Sequence, residues 1–214
     1  MVRSRAWVVL ATAAVLVAAA VLATGCDEEP RERPVPPASL PGDLLLEGEV
    51  LHFEPCGATA PQPVSDETGS EARTLIENLG YGSDRVRSAV VLDGDRLLEI
   101  RHATPEDARC EDLLPDADVE ARGNEPFWVV RVTKEEALWI TPEDQDGVTF
   151  GGGAWQPTGP GRFVYEARGL VLDLEEEPCF DTMAGARFPW TASVEKDGTR
   201  YVGCALEGRG LLTP

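Results

Sequence analysis

Between Phe127 and Ala205 the chain repeats one pattern, a few residues of alternating apolar and polar character followed by a turn. Trp128, Val130 and Val132 fall on one face of segment 127–133, and Leu170, Leu172 and Leu174 on one face of segment 170–174. Segments 137–141, 147–150, 162–167, 190–194 and 200–205 are built alike. Asp146-Gly147, Gly159-Pro160-Gly161 and Asp197-Gly198 punctuate them. Side chains of a strand point alternately to its two faces, so this period predicts short strands rather than helix. Seven such strands with no helical period between them predict an up-and-down barrel or a sandwich, its small interior largely filled by aromatic side chains.

Segment 122–128, Arg-Gly-Asn-Glu-Pro-Phe-Trp, lies between an acidic, turn-rich seam and the first of these strands. It reads as the opening of a C-terminal all-β domain, 119–214. Upstream, residues 43–118 form a smaller unit. Segment 44–53 is rich in β-formers. In segment 65–79, Ala72, Leu75, Ile76 and Leu79 recur at helical spacing before Gly80, which predicts a short helix. Segments 88–92 and 96–101 flank Asp93-Gly94-Asp95, a hairpin signal. The expected fold class is mainly β: two small barrel-like or sandwich-like domains, the first with one short helix.

The N-terminus reads as an address. Arg3 and Arg5 precede an apolar run over 7–23, broken only by Thr12, which ends at Thr24-Gly25-Cys26. A short apolar stretch with a basic start and small residues at its end is the shape of a cleaved signal peptide, here 1–25. Small residues before a cysteine resemble a bacterial lipobox, with Ala23 where Leu is usual and Leu22 one residue earlier. The resemblance implies diacylglyceryl attachment at Cys26 and cleavage before it, making the membrane a partner through the lipid. Residues 26–42 are charged and Pro-rich, an extended linker reaching about 45 Å from the bilayer. Asp27 resembles an inner-membrane retention signal. The expected localisation is the cell envelope, anchored to the inner or outer membrane.

Composition narrows the partners. Nineteen basic residues face 38 acidic ones, for a net charge of −19, and loss of residues 1–25 removes two arginines and no acid. Such a surface repels nucleic acid phosphates and favours basic proteins or cations. Of the five cysteines, Cys26 ends the N-terminal apolar run, and the others divide two per domain. Bridges Cys56–Cys110 and Cys179–Cys204 are therefore expected, each stabilising by about 3–4 kcal/mol through loop closure. The competing reading, a redox or metal pair, lacks a Cys-x-x-Cys and a histidine at ligand spacing.

Gly123-Asn124-Glu125-Pro126-Phe127-Trp128, Cys179-Phe180-Asp181-Thr182-Met183 and Gly203-Cys204-Ala205 together resemble a poorly characterised family of bacterial envelope lipoproteins. That family's pattern is GNEPFW, Cys-x-Asp-x-Met-Ser, a Tyr-Pro-Phe step and a terminal Gly-Cys-Ala. Here Ala184 stands for the Ser, and Phe188-Pro189-Trp190 for Tyr-Pro-Phe. The likeness covers the C-terminal domain and implies an envelope address, not an activity. More faintly, the first domain resembles the N-terminal barrel of NlpE-type copper-response and adhesion lipoproteins, without their Cys-x-x-Cys.

The candidate ligand residues are Asn124, Glu125, Trp128 and Asp181. In one reading Asn124 and Glu125 stand at the barrel mouth above Trp128 as a ligand floor. In the other they bond the turn backbone while Trp128 plugs the core. Asp181 and Met183 beside Cys179 suggest a soft copper site only if the sulfurs are reduced. The acidic runs 143–146 and 175–177 lack calcium-loop spacing. Ser193 and Lys196 match a Ser-x-x-Lys motif, but on a strand they face opposite sides. With only His52 and His102 as imidazoles, no nucleophile–base pairing is recognisable. The expectation is a non-enzymatic binding or structural module of the envelope, without cofactor, metal or catalytic residues, in the stress response. The alternative is an inhibitor, like the lysozyme-inhibitor lipoproteins, that blocks a basic hydrolase. The partner would be a basic envelope protein or a small ligand.

Overall fold

The computed structural model describes residues 38–209. The expected signal peptide, Cys26 and most of the expected linker lie outside the described residues.

The first sheet opens with β1 (Leu40–Glu47) and β2 (Val50–Pro55), a hairpin turning at Gly48, whose φ of 67° is easy only for glycine. Segment 44–53 is thus two strands, because alternation carries on through Glu47-Gly48-Glu49 and hides the turn. The linker is shorter than expected at its C-terminal end. Leu40, Pro41 and Gly42 already pair with Val90, Ala89 and Ser88. The two-residue strands β3 (Gln62–Pro63) and β4 (Ser65–Asp66) precede α1 (Glu71–Leu79). The helix begins later than its pattern suggests because Ser65 and Asp66 pair in parallel with the sheet, and Asp66 accepts hydrogen bonds from the Thr68 N–H and hydroxyl. Its four expected apolar residues are all buried, against Leu44, Phe53, Val86, Leu97 and Ile100. Then come β5 (Arg85–Asp93) and β6 (Arg96–Thr104), joined by the anticipated turn at Gly94, and a 3₁₀ turn over Cys110–Leu113. Cys110 bridges to Cys56 across 54 positions, with the Cα atoms 6.1 Å apart.

The second sheet contains β7 (Val119–Asn124), β8 (Phe127–Val132), β9 (Glu136–Thr141), β10 (Asp144–Gly151), β11 (Ala154–Gly159), β12 (Arg162–Ala167) and β13 (Leu170–Glu175). After β14 (Cys179–Asp181) and β15 (Ala186–Phe188), the chain returns to it as β16 (Trp190–Lys196) and β17 (Thr199–Glu207). The order is β10-β9-β8-β7-β17-β16-β13-β12-β11, antiparallel throughout. Strand β7 escapes a sequence reading because its inward positions are small, notably Ala121 and Gly123. Segment 122–128 is accordingly not the opening of the domain but the tip of its first hairpin, turning at Glu125-Pro126.

An even number of antiparallel pairings separates β10 from β11, so these two edge strands run the same way, and only Gly152 and Gly153 lie between them. Together they act as one bent strand that leaves one edge of the sheet and joins the other, curling it into a barrel-like form. A Cβ on Gly153 would overlap the Tyr165 ring, so the bend depends on a residue without one. Inside, Trp128 stacks on Trp139 at 5.6 Å, and Tyr165, Trp190, Leu172 and Val194 complete a filled core.

Strands β14 and β15 leave the barrel and extend the first sheet. Arg187 pairs with Ala103 of β6, and Cys179 is bonded to Cys204 of β17 across 25 positions. A separate apolar cluster, Ala186, Phe188, Cys204 and Leu206, seals the junction. Both sheets belong to one compact unit.

Candidate functional site

The turns expected to carry ligand residues meet where the β14–β15 hairpin touches the barrel. Asn124, at the end of β7, donates from Nδ2 to Asp181 Oδ1 at 2.6 Å. The same oxygen accepts the backbone N–H groups of Met183 and Ala184 at 2.9 and 3.0 Å. Three donors on one buried carboxylate oxygen make a fastening, and they occupy the group that would otherwise meet a ligand. Trp128 is 1% exposed and packed in the barrel, while Glu125 is exposed on the turn outside it. The structure therefore brings Asn124 and Asp181 together and leaves Glu125 and Trp128 apart. Gly123 lies across from Trp128, whose indole a Cβ there would strike, and a Cβ on Gly203 would overlap the Arg122 carbonyl. The motif residues share one task, bringing β7, β17 and the hairpin into close contact. The sulfurs of Cys179 and Cys204 are spent on their bridge. Among the described residues, no three His, Cys, Asp or Glu side chains gather around a point that would suit a metal.

A polar layer that sequence reading missed lies between the two sheets. Arg101 of β6 reaches Glu207 of β17 at 2.7 Å, and Glu207 also accepts the Trp190 indole N–H at 3.1 Å. Burial pushes the Glu207 carboxyl up, against the pull of Arg101 and the indole. Burial alone would depress Arg101, but Glu207, Glu99 and Glu176 outweigh it and hold the guanidinium charged. Arg187 donates to the carbonyls of Ile100 and Arg101 and pairs with Glu71 of α1 at 3.0 Å. His102 is buried against Phe188, its ring 4.6 Å away, with Nδ1 2.7 Å from the Arg187 carbonyl. Burial lowers the His102 pKa to about 4, although the Arg187 carbonyl raises it; Arg122 and Arg187 lower it further, and Glu120 raises it. The imidazole is neutral at pH 7, with its proton on Nδ1 facing the carbonyl. The one signal in the sequence was a run of mixed polarity, Ile100-Arg101-His102-Ala103, where a one-faced strand should alternate. Both sides of that run are covered.

Beside this layer lies a cleft of about 470 Å³ between β6 and β15 on one side and the outer face of β7 and β8 on the other. Glu120, 4% exposed, joins its two arginines, Arg131 Nε at 2.7 Å and Arg122 through Nη2. The Arg122 guanidinium sits 5.6 Å from the Phe188 ring, and its buried Nε has no hydrogen-bond partner. Glu111, Asp112 and Asp116, from the segment after β6, edge the opposite wall. This is a concave, two-signed site at a junction between sheets.

No family model, curated protein or solved structure matches the chain.

Proposed function

We propose that the protein is a lipid-anchored module of the bacterial cell envelope, held outside the cytoplasm by Cys26, that binds a ligand or partner without catalysing a reaction. The observation that carries this reading is the pair of disulfides, one stapling the first sheet and one fastening the hairpin to the barrel. Such bridges persist in oxidising compartments and are rare in cytosolic proteins. They agree with a leader ending at Cys26. The filled barrel and the cleft beside it support binding at the junction between the sheets rather than in the barrel. Mass spectrometry of protein from the native host tests the address: an acylated residue 26 with residues 1–25 removed is expected. An intact leader with free cysteines would overturn the reading. A role in the stress response predicts that deletion induces it.

One observation favours the inhibitor alternative. The β14–β15 hairpin exposes Phe180 of β14 at 59% and Met183 of the turn after it at 76%, and the Tyr81 hydroxyl lies close to Gly185 of the same turn. Exposed apolar side chains gathered on one projection mark an interaction site. A net charge of −19 would steer that projection toward a basic target. Inhibition of a basic muramidase, lost when Phe180 and Met183 are both changed to Asp, would establish this alternative. Full muramidase activity at saturating protein, in low salt, rules it out.

A further inference from the structure

The cleft beside the polar layer is lined by side chains of both charges. Glu120 holds Arg122 and Arg131 on the inner wall, one carboxylate for two guanidinium groups, with Asp112 near enough to act on Arg122 through its charge. The buried Nε of Arg122 is left without an acceptor, and the remaining N–H groups of both guanidinium forks have no partner among the described residues. An anion with two oxygens suits such forks. Glu111, Asp112 and Asp116 stand on the wall across from them. Their own partners are weak ones: Arg109, 70% exposed, for the first two, and Arg209 for Asp116, itself 89% exposed. Ion pairs in that much water yield readily to a competing cation. A phosphate-like polyanion that filled the cleft would run into these acids, and a neutral molecule would meet neither charge.

We propose that this cleft binds a small zwitterion, an α-amino acid or a short peptide with both termini free. Its carboxylate lies on Arg122 and Arg131, its ammonium group points to Glu111, Asp112 and Asp116, and its apolar part lies against Ala186 and Phe188. The cleft's volume of about 470 Å³ is within the range of small-molecule sites. This names the ligand class for the binding module proposed above and rests on that reading.

The test is calorimetric titration of the purified full chain in detergent with glycylglycine and a panel of free α-amino acids. At least one of these probes should bind with a Kd of about 1 mM or tighter. Its N-acetylated and C-amidated derivatives should each bind about tenfold more weakly, since each removes one of the two charges. Arg122→Gln should weaken binding by about tenfold or more. Because that change also strips Glu120 of a partner, the double change Asp112→Asn with Asp116→Asn serves as the arm that leaves packing alone, and it should weaken the zwitterion but not its acetylated form. Silence across the panel, equal affinity for the acetylated compound, or an unchanged Kd in the aspartate variant would each overturn the proposal. An acylated Cys26 found together with any of those results leaves the envelope reading standing and removes the ligand assignment alone.

Discussion

At the scale of single residues, His102 has the clearest thermodynamic consequence. Its folded-state pKa of about 4 lies below the ordinary 6.5, chiefly through burial. Between those values the unfolded chain binds a proton that the folded chain does not, so stability rises with pH across that window. The contribution is complete above about pH 6.5, is lost as pH falls toward 4, and levels off below that; it amounts to about 3 kcal/mol. In His102→Gln, which can still donate to the Arg187 carbonyl, this dependence should vanish. Urea midpoints compared between wild type and variant from pH 4 to 7 check it. The difference between the two proteins is the quantity to read, because carboxylates such as Asp112, held below its usual range by Arg109, also titrate at the acid end. A wild-type slope that survives the substitution would refute the assignment.

At the scale of elements, the β14–β15 hairpin decides how the two sheets are joined. It has few residues in strand and one single-residue pairing to β6, so its own ladder is a weak attachment. Two devices make up for this: the Cys179–Cys204 bridge and the three-donor fastening at Asp181. Asp181→Ala removes the acceptor for three part-buried donors, two of them on an exposed turn, and should cost about 2 kcal/mol. Asp181→Asn keeps an acceptor oxygen and should cost roughly half as much. In a double-mutant cycle with Asn124→Ala, the coupling should be about 1 kcal/mol, read from denaturant unfolding. A coupling indistinguishable from zero would mean that the Asn124–Asp181 contact contributes nothing to joining the turns. Opening the bridge by Cys179→Ala with Cys204→Ala should cost about 3.5 kcal/mol and expose the turn near Met183 to protease.

At the scale of the molecule, Arg101 and Glu207 are the main polar tie between the first sheet and the barrel. A buried pair of this kind contributes little relative to well-packed apolar residues, but breaking it leaves one charge stranded. Arg101→Met or Glu207→Gln alone should therefore destabilise by about 3–5 kcal/mol, and the paired change Arg101→Met with Glu207→Leu should recover most of that loss. Because the hairpin and this pair join the sheets, wild-type unfolding should be a single transition. Tryptophan fluorescence, which reports the barrel, should coincide with far-ultraviolet circular dichroism, which reports both sheets. Two separated transitions would show that the sheets fold independently.

Local physics alone carries much of this protein. The period-two faces of β8 and β13, the helical spacing of Ala72, Leu75, Ile76 and Leu79 and the turns at Asp93-Gly94 and Asp197-Gly198 depend on neighbours in the chain, and each appears in the structure as its local pattern requires. The two expected bridges form as well. Asp146-Gly147 instead lies inside β10, at a break in its pairing with β9, and the chain turns earlier, at Pro142-Glu143. What depends on distant partners left little local trace. Strand β7 is lined with small residues because Trp128 fills the space opposite Gly123. Strands β14 and β15 are too short to show a period, and they leave the barrel for the other sheet because Phe188 and Arg187 find their partners there. The charged layer of Arg101, Glu207 and Arg187 showed only in the unalternating run Ile100-Arg101-His102-Ala103. In sequence an arginine on a strand is a solvated side chain, and only packing a second sheet against it turns it into a buried tie or the wall of a cleft.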